Sequence, residues 1–208
     1  MDERLESARL YFVVEADAPD ALLDAALSGG ADLLQLRDKD ADDETLTAAG
    51  ERFRDACDRH GALFVVNDRA DLALACGADG VHVGQDDLPV ADVRRLVGPD
   101  VLVGLSTHSR EQFDAGLGSD ADYLSAGPVW ETPTKAGRPA AGLELVGHAA
   151  AVATKPFFAI GGIDESNVAQ VTAAGATRIV VVRAIRDADE PRATAIRLRA
   201  ALEAAHVA

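Results

Sequence analysis

Cysteine, lysine and aromatic residues are scarce in this 208-residue chain, and it contains no long apolar run. The two cysteines, Cys57 and Cys76, form no C-x-x-C pair and lack spaced histidine partners, so neither a disulfide framework nor a zinc site is indicated. No apolar stretch reaches the roughly 20 residues that span a membrane, and residues 1–9 are too charged for a signal peptide. These absences predict a cytoplasmic protein without a membrane segment.

The shortage of lysine accompanies a strong acidic bias. Only three lysines are present, and 35 acidic residues against 20 basic ones give a formal net charge of −15. Such a charge repels polyanions, which argues against nucleic acid or an anionic membrane as a partner. We therefore expect small-molecule substrates, whereas the sequence leaves the oligomeric state open, homo-oligomers included.

The core must consist mainly of Ala, Val, Leu and Ile, because aromatics make up 4% of the chain and hydrophobic residues 48%. This composition suits helices packed on parallel strands. Apolar periodicity predicts one domain, residues 1–208, in which eight strands alternate with eight helices. The predicted strands are 10–14, 33–36, 63–66, 80–83, 101–105, 123–126, 157–160 and 179–182. The predicted helices are 21–27, 43–59, 71–76, 90–97, 110–117, 143–153, 165–174 and 191–205.

A weak repeat favours one α/β architecture. The tripeptides that precede strands two, four, six and eight are similar: Gly30-Ala31-Asp32, Gly77-Ala78-Asp79, Asp120-Ala121-Asp122 and Gly175-Ala176-Thr177. Four copies of a βαβα unit predict a single closed (β/α)8 TIM barrel rather than an open doubly wound sheet. In such a barrel, reactive groups gather where the strands end at their carboxyl side.

Three side chains at alternate positions, Gln35, Arg37 and Lys39, lie at the end of the second predicted strand and just after it. In an extended segment they point the same way, and two cations with an amide suit a pyrophosphate. The alternative is a surface ladder of ion pairs with the neighbouring aspartates. Because two of the three lysines, Lys39 and Lys135, fall in predicted site loops, we favour anion binding.

Two carboxylates, Asp68 and Asp87, follow the third and fourth predicted strands. Mg²⁺ prefers such oxygen ligands and leaves coordination positions for substrate phosphates. Each aspartate also precedes a helical segment, so helix capping is the alternative interpretation. Their shared position beside the predicted pyrophosphate cations favours a magnesium site.

The later strand ends add further candidates. Gly161-Gly162 after strand seven would let backbone amides approach a phosphate, although a tight turn alone would also use glycine. His108 is a candidate base, but a lone histidine in a Thr-His-Ser turn is more often structural. The long irregular stretch at residues 128–141 is expected to act as a mobile lid.

Seven segments, in family order along nearly the whole chain, resemble motifs of the thiamine phosphate synthase family. They are Gln35-Leu36-Arg37-Asp38-Lys39, Val66-Asn67-Asp68-Arg69, Gly80-Val81-His82-Val83-Gly84-Gln85-Asp86-Asp87-Leu88-Pro89, Gly104-Leu105-Ser106-Thr107-His108-Ser109, Gly127-Pro128-Val129, Thr132-Pro133-Thr134-Lys135 and Ala159-Ile160-Gly161-Gly162-Ile163. The combination is specific, although G-G-I or N-D alone would not be.

The resemblance implies a (β/α)8 barrel that joins hydroxymethylpyrimidine pyrophosphate to thiazole phosphate with the help of Mg²⁺, giving thiamine phosphate and pyrophosphate. Carried over by position, the pyrimidine pyrophosphate would be bound by Gln35, Arg37, Lys39, Asn67 and Lys135, and Mg²⁺ by Asp68 and Asp87. Ser106 would face the reacting substrate, and Thr132, Thr134 and Gly162 would hold the thiazole phosphate. Of these residues, Arg37, Lys39, Ser106 and Lys135 would take part in catalysis. In this family the pyrophosphate is thought to leave first, so no activated nucleophile is required.

The chain departs from the resemblance after strand eight, where Arg183 stands in place of the serine of many members. Arg183 would bind the thiazole phosphate directly, or it would point outward and leave the phosphate to the backbone. Two other functions stay open. One is a thiazole tautomerase on the same barrel, which would need no pyrophosphate or Mg²⁺ site and which His108 favours. The other is a non-catalytic sensor of thiamine phosphate.

Overall fold

Eight parallel strands form a closed barrel, and each strand pairs with its neighbours in chain order. The strands are β1 (Leu10–Val14), β2 (Leu33–Leu36), β3 (Leu63–Asn67), β4 (Gly80–Val83), β5 (Leu102–Thr107), β6 (Tyr123–Ala126), β7 (Phe157–Ile160) and β8 (Ile179–Val181). This computed structural model describes residues 2–132 and 139–206. Pairing of β1 with β8 closes the barrel.

Helices follow the strands around the outside of the barrel, except α1, which precedes β1. They are α1 (Glu3–Ser7), α2 (Asp20–Ser28), α3 (Asp43–His60), α4 (Ala70–Ala75), α5 (Val90–Val97), α6 (Arg110–Leu117), α7 (Gly142–Val152), α8 (Val168–Ala173), α9 (Arg183–Arg186) and α10 (Pro191–His206). The chain is therefore a single (β/α)8 TIM barrel, which confirms the predicted fold. In the part of the chain that is described, no helix has the length and apolar character needed to cross a lipid bilayer.

The element boundaries differ from the prediction in a few places. Strand β5 runs on through Ser106 and Thr107, because these polar residues pair with β6. Helix α8 begins only at Val168, since the residues before it form a turn in which the Asp164 amide donates to the Asn167 side chain at 2.9 Å. The short helices α1 and α9 were not predicted, because five and four residues carry too little periodicity.

Side chains along each strand point alternately out of and into the barrel. The outward apolar residues pack beneath the helices in one large cluster. The inward residues form a second cluster whose largest members are the rings of Tyr11, Tyr123 and Phe158. These rings meet edge to face, with centroids 5.5–6.1 Å apart. The barrel interior is therefore a packed core and not a pore.

Helix α1 covers the end of the barrel at which the strands begin. Leu5 is fully buried in the inner cluster. Arg4 pairs with Asp79 at 2.9 Å, and Arg178 donates to the Glu6 carbonyl at 2.8 Å. Asp79 and Arg178 directly precede β4 and β8, so the helix is tied to the amino-terminal ends of the strands. Helix α1 does not cover the opposite end, where the strands finish, and a site is expected there.

The aspartates of the sequence repeat stabilise the same covered end. They accept hydrogen bonds at 2.7–2.9 Å from amides near the start of the preceding strand: Asp32 from Leu10, Asp79 from Phe64 and Asp122 from Val103. Each carboxylate also pairs with an arginine at 2.5–2.7 Å. Three of the four repeats thus tie two neighbouring strands together, and the fourth, with Thr177, lacks the carboxylate.

Candidate functional site

The carboxyl-terminal ends of the strands bring most of the predicted site residues to one face. In chain order these are Gln35, Arg37, Lys39, Asn67, Asp68, Asp87, Ser106, Thr132, Gly162 and Arg183. Thr134 and Lys135 lie outside the described residues, as does the middle of the predicted lid. Their proposed roles and the lid therefore stay predictions.

Lys39 reaches from the segment after β2 to the residue that follows β3. Its Nζ lies 3.1 Å from Oδ2 of Asp68. The Asp68 backbone is held in the left-handed region, with φ of 61°, and its N–H donates to the His82 carbonyl at 2.8 Å. The structure thus brings together one residue of the predicted pyrophosphate set and one of the predicted metal set.

The second carboxylate, Asp87, affects the pKa of Asp68. Burial raises the pKa of Asp68, the Lys39 ammonium opposes that rise, and the nearby Asp87 carboxylate adds to it. Asp87 is fixed by the Gly84 amide, which donates to Oδ2 at 2.8 Å. Neither aspartate caps the following helix: α4 starts after Arg69 and α5 after Pro89, both without a side-chain cap. Helix capping therefore does not explain these two residues.

The donor set fits a hard divalent cation such as Mg²⁺. The Asp87 charge disfavours the charged form of Asp68, so a cation between the two carboxylates would relieve this repulsion, and Mg²⁺ uses one or two carboxylates plus water and phosphate. Within residues 2–132 and 139–206, no group of three or more side chains suited to a metal occurs. A bound Mg²⁺ would thus take its other ligands from water or substrate.

Below the rim, a series of hydrogen bonds crosses the barrel interior. Gln35 donates to the hydroxyl of Tyr11, which lies 3.1 Å from the hydroxyl of Tyr123. His82 connects this pair to the rim, because its Nδ1 is 3.2 Å from the Tyr123 hydroxyl and its Nε2 is 2.9 Å from Ser106 Oγ. All of these side chains are buried. The Ser106 hydroxyl is thus held in one orientation from below.

Gly104 of β5 makes room for this network. The strand register places it beside His82 on one side and Tyr123 on the other. A Cβ at position 104 would overlap Nδ1 of His82 and Cζ of Tyr123 and would lie 2.5 Å from the Tyr123 hydroxyl. A side chain of any kind would push these buried rings apart, so glycine is required here by close approach.

Gln85 follows β4 and His108 follows β5, and the side chains of both hold neighbouring backbone segments in place. Gln85 donates to the Ser106 carbonyl at 2.7 Å, so Ser106 is held through its backbone as well. His108 Nδ1 lies 2.6 Å from the Gly127 carbonyl, and the His108 amide donates to Gln112 at 2.8 Å. These contacts join the turn after β5 to the segment after β6, which supports the structural interpretation of His108 over that of a base.

A cavity of about 260 Å³ opens at the ends of β6, β7 and β8. Three residues predicted to hold a phosphate, Thr132, Gly162 and Arg183, line it together. Arg183 is exposed and begins α9. The structure therefore places Arg183 at the cavity, and whether its guanidinium binds a phosphate there stays a prediction.

The turn after β7 packs tightly against the segment after β6. Gly161 has φ of 106°, and a Cβ there would lie 2.5 Å from Cα of Pro128. Trp130 donates from its backbone to the Gly161 carbonyl at 3.1 Å. Close packing accounts for Gly161, whereas Gly162, with φ of 69°, also lines the cavity and can expose its backbone to a bound group.

Tyr11, His82 and Tyr123 belong to the site although none of them was predicted as part of it. A signal for His82 was present in the alternation of β4, because Val81 and Val83 face the helices and the residue between them must point into the barrel. The tyrosines carry no such signal, since an inward Tyr in an apolar strand is ordinary core. Only their common register reveals the network.

Comparison with known proteins relates the whole chain to one family. Residues 10–185 match the family model described as thiamine monophosphate synthase. The chain is 53% identical to the thiamine-phosphate synthase of Thermobifida fusca over the full length of both proteins. It is 50% identical to the thiamine-phosphate synthase of Mycobacterium tuberculosis over 99% of both.

Solved structures agree with this relationship. The thiamine phosphate pyrophosphorylase of Pyrococcus furiosus superposes with a TM-score of 0.89 at 31% identity, over 98% of this chain and 99% of that one. A tryptophan synthase structure from Mycobacterium tuberculosis has a TM-score of 0.69 at 18% identity over 96% of each chain, which shows a shared barrel fold alone.

Proposed function

Because the chain belongs to the thiamine monophosphate synthase family, we propose that it joins hydroxymethylpyrimidine pyrophosphate to thiazole phosphate, forming thiamine phosphate and pyrophosphate. Family membership makes it a transferase of thiamine biosynthesis. The observation that best supports this reaction is the contact of Lys39 with Asp68 beside Asp87, since it joins anion-binding and cation-binding groups on one rim.

The pyrophosphate end of the first substrate is assigned to the mouth of the barrel above β2 and β3. Arg37 and Lys39 supply positive charge there, and Asn67 supplies an amide at the end of β3, whereas the Gln35 amide already donates to Tyr11 below the rim. Lys135 belongs to the same assignment by family position. In a protein with a net charge of −15, such a local group of cations is needed to attract a polyanionic substrate.

Asp68 and Asp87 would hold Mg²⁺ at this rim. When bound, the ion neutralises charge that builds up on the leaving pyrophosphate. The Asp87 carboxylate accepts a hydrogen bond from the Gly84 amide, and the backbone of Asp68 is anchored by its N–H bond to the His82 carbonyl. Their part is to position the charge beside Lys39 rather than to donate or accept a proton.

In the proposed reaction, the C–O bond between the pyrimidine methylene and the pyrophosphate breaks, and the electron pair leaves with the pyrophosphate. The amino group of the pyrimidine stabilises the resulting cation, and the thiazole nitrogen then uses its lone pair to form the C–N bond. No proton is removed from the nucleophile. The site therefore has to stabilise a departing anion and hold two rings in line.

The second substrate is assigned to the cavity at β6–β8. Thr132, Gly162 and Arg183 line this cavity, and Thr134 joins them by family position. Ser106 lies between the two halves at the end of β5, with its hydroxyl oriented by His82 and its carbonyl by Gln85. A hydroxyl fixed in this way suits contact with the reacting substrate at low cost in entropy.

The proposal includes a cytoplasmic location and small-molecule substrates, without nucleic acid or membrane partners. The acidic composition supports the exclusion of polyanions. Biosynthesis from phosphorylated intermediates also suits the cytoplasm, where such charged compounds are retained. A homo-oligomer is compatible with this chemistry, since every assigned residue comes from one chain.

The test is to incubate the purified protein with both substrates and Mg²⁺ and to measure thiamine phosphate, with EDTA in a parallel sample. We expect product that depends on the metal. Asp87→Asn should reduce turnover by about 100-fold with little loss of folding, because it removes one charged ligand. Asp120→Asn, an exposed aspartate at the opposite end of the barrel, is the matched control and should keep full activity.

Lack of product from folded protein would contradict the proposal, and isomerisation of the thiazole would then identify a tautomerase. Binding of thiamine phosphate without turnover of either kind would identify a sensor. Product that forms equally well in EDTA would remove Mg²⁺ from the proposal and leave the condensation.

A further inference from the structure

Lys39 contacts one of the two carboxylates assigned to the metal. Its Nζ is 3.1 Å from Asp68, and its side chain is 56% exposed whereas that of Asp68 is 24% exposed. Lys39 is also the last member of the alternating Gln35, Arg37 and Lys39 set assigned to pyrophosphate. One ammonium group therefore has two anionic partners, a carboxylate and the substrate.

The carboxylates themselves have little freedom to adapt. The Asp68 backbone is fixed by its left-handed conformation and by its N–H bond to the His82 carbonyl, and the Asp87 carboxylate is fixed by the Gly84 amide. The lysine is the mobile partner, because a long exposed side chain reorients with little loss of packing. Any change of counter-ion at this site thus requires movement of Lys39.

We propose that Lys39 is an exchangeable counter-ion, which neutralises Asp68 until Mg²⁺ arrives and is then displaced to bind the pyrophosphate of the substrate. The proposal rests on the metal assignment made above. A divalent ion and an ammonium group cannot both sit against Asp68 without strong repulsion. Lys39 would therefore leave Asp68 and become available to the second anion.

This exchange couples the two ligands. Part of the free energy of metal binding is used to separate Lys39 from Asp68. A pyrophosphate that then binds the released ammonium recovers this part. By linkage, each ligand then increases the affinity of the other. Removing Lys39 should strengthen binding of the metal alone, which is the opposite of what a residue that merely supports the site would do.

The experiment is to titrate Mn²⁺, as a paramagnetic substitute for Mg²⁺, into the substrate-free protein and to follow free Mn²⁺ by electron paramagnetic resonance. For Lys39→Met we expect Mn²⁺ to bind roughly five- to tenfold more tightly than in wild type, where tenfold corresponds to about 1.4 kcal/mol. Lys39→Arg keeps the competing charge, so its affinity should stay near that of wild type.

Lys155→Met is the matched control. It removes the same charge at the opposite end of the barrel, where Lys155 donates to the Ser119 carbonyl at 2.5 Å, so it corrects for the change in net charge. A fourth variant, Asp87→Asn, should weaken binding and thereby identify the site that is titrated. Circular dichroism would verify that each variant is folded.

The outcomes separate the two proposals. Equal or weaker Mn²⁺ binding in Lys39→Met, with binding still sensitive to Asp87→Asn, would overturn the counter-ion role and leave the metal site standing. Mn²⁺ binding that is insensitive to Asp87→Asn would overturn both. An equal gain in Mn²⁺ affinity in Lys39→Met and Lys155→Met would show that the gain comes from the change in net charge. This result would also overturn the counter-ion role.

Discussion

Replacing Gly104 by alanine tests whether the interior network depends on close approach at this residue. The added methyl would overlap the rings of His82 and Tyr123. Neither ring has space into which to move, since Tyr123 is fully buried and packs edge to face on Tyr11 and Phe158. The strand itself is fixed by pairing on both sides. The network must therefore distort.

The expected cost combines two effects. Overpacking of a closed core costs about 2 kcal/mol. Separation of the Tyr123 hydroxyl from His82 or Tyr11 loses a buried hydrogen bond, which adds about 1 kcal/mol. The total of ~3 kcal/mol is a large part of the roughly 5–15 kcal/mol by which proteins are stable. For a chain of this size it corresponds to a fall in Tm of about 6–12 °C.

Urea unfolding and thermal unfolding of Gly104→Ala against wild type measure this loss. Gly147→Ala is a suitable control, because this residue lies in α7, where a Cβ would meet only the Ala174 carbonyl at 3.9 Å, and alanine is the better helix former. The control should be neutral or slightly stabilised. A loss below about 0.5 kcal/mol in Gly104→Ala would refute the argument, because it would show that the rings can move apart freely.

The remaining predictions concern the barrel base, alkaline stability and Arg183. Asp122→Ala should lower the free energy of unfolding by about 2 kcal/mol, because it removes the shared partner of the Val103 amide and Arg94. Replacing the exposed Asp120 by alanine should change the free energy of unfolding little. If urea unfolding shows the same loss for both variants, the stabilising role of the Asp122 contacts is refuted. Burial raises the pKa of Cys57 to about 12, so the unfolded chain releases this proton first and stability should fall above pH 9, by up to ~1.4 kcal/mol per pH unit for this group. Cys57→Ala should flatten the urea stability curve between pH 9 and 10, and identical slopes would contradict this cause. Arg183→Ser should raise KM for thiazole phosphate by roughly tenfold with KM for the pyrimidine unchanged, and an equal rise for both substrates would count against a direct contact.

The strands were predictable because each is an apolar run bounded by glycine or polar residues. The boundary of β5 was not, since Ser106 and Thr107 are polar and belong to the strand only through their partners on β6. The short helix α1 was also missed. It is mostly charged, and its existence depends on burial of Leu5 in the barrel end and on capping by Asp2, neither of which periodicity can show.

The rim of the site was predictable for a related reason. In a barrel, residues that follow successive strands lie on the same face, so the proximity of Lys39, Asp68 and Asp87 follows from topology. The layer beneath was not predictable, because the contact of His82 with Ser106 depends on the register of neighbouring strands. Register is a tertiary property that one sequence does not display.

The three aspartate ties at the base have a consequence for how this barrel can be altered. The pairs β1–β2, β3–β4 and β5–β6 carry such a tie, whereas the quarter formed by β7 and β8 has Thr177 at that position and contributes much of the cavity lining. Exchange of this last quarter between relatives by recombination should therefore leave all three tie carboxylates in place, provided that the incoming segment keeps Arg199 of α10, which pairs with Asp32. It would transfer the preference for the second substrate as a module, while the three tied quarters preserve the scaffold.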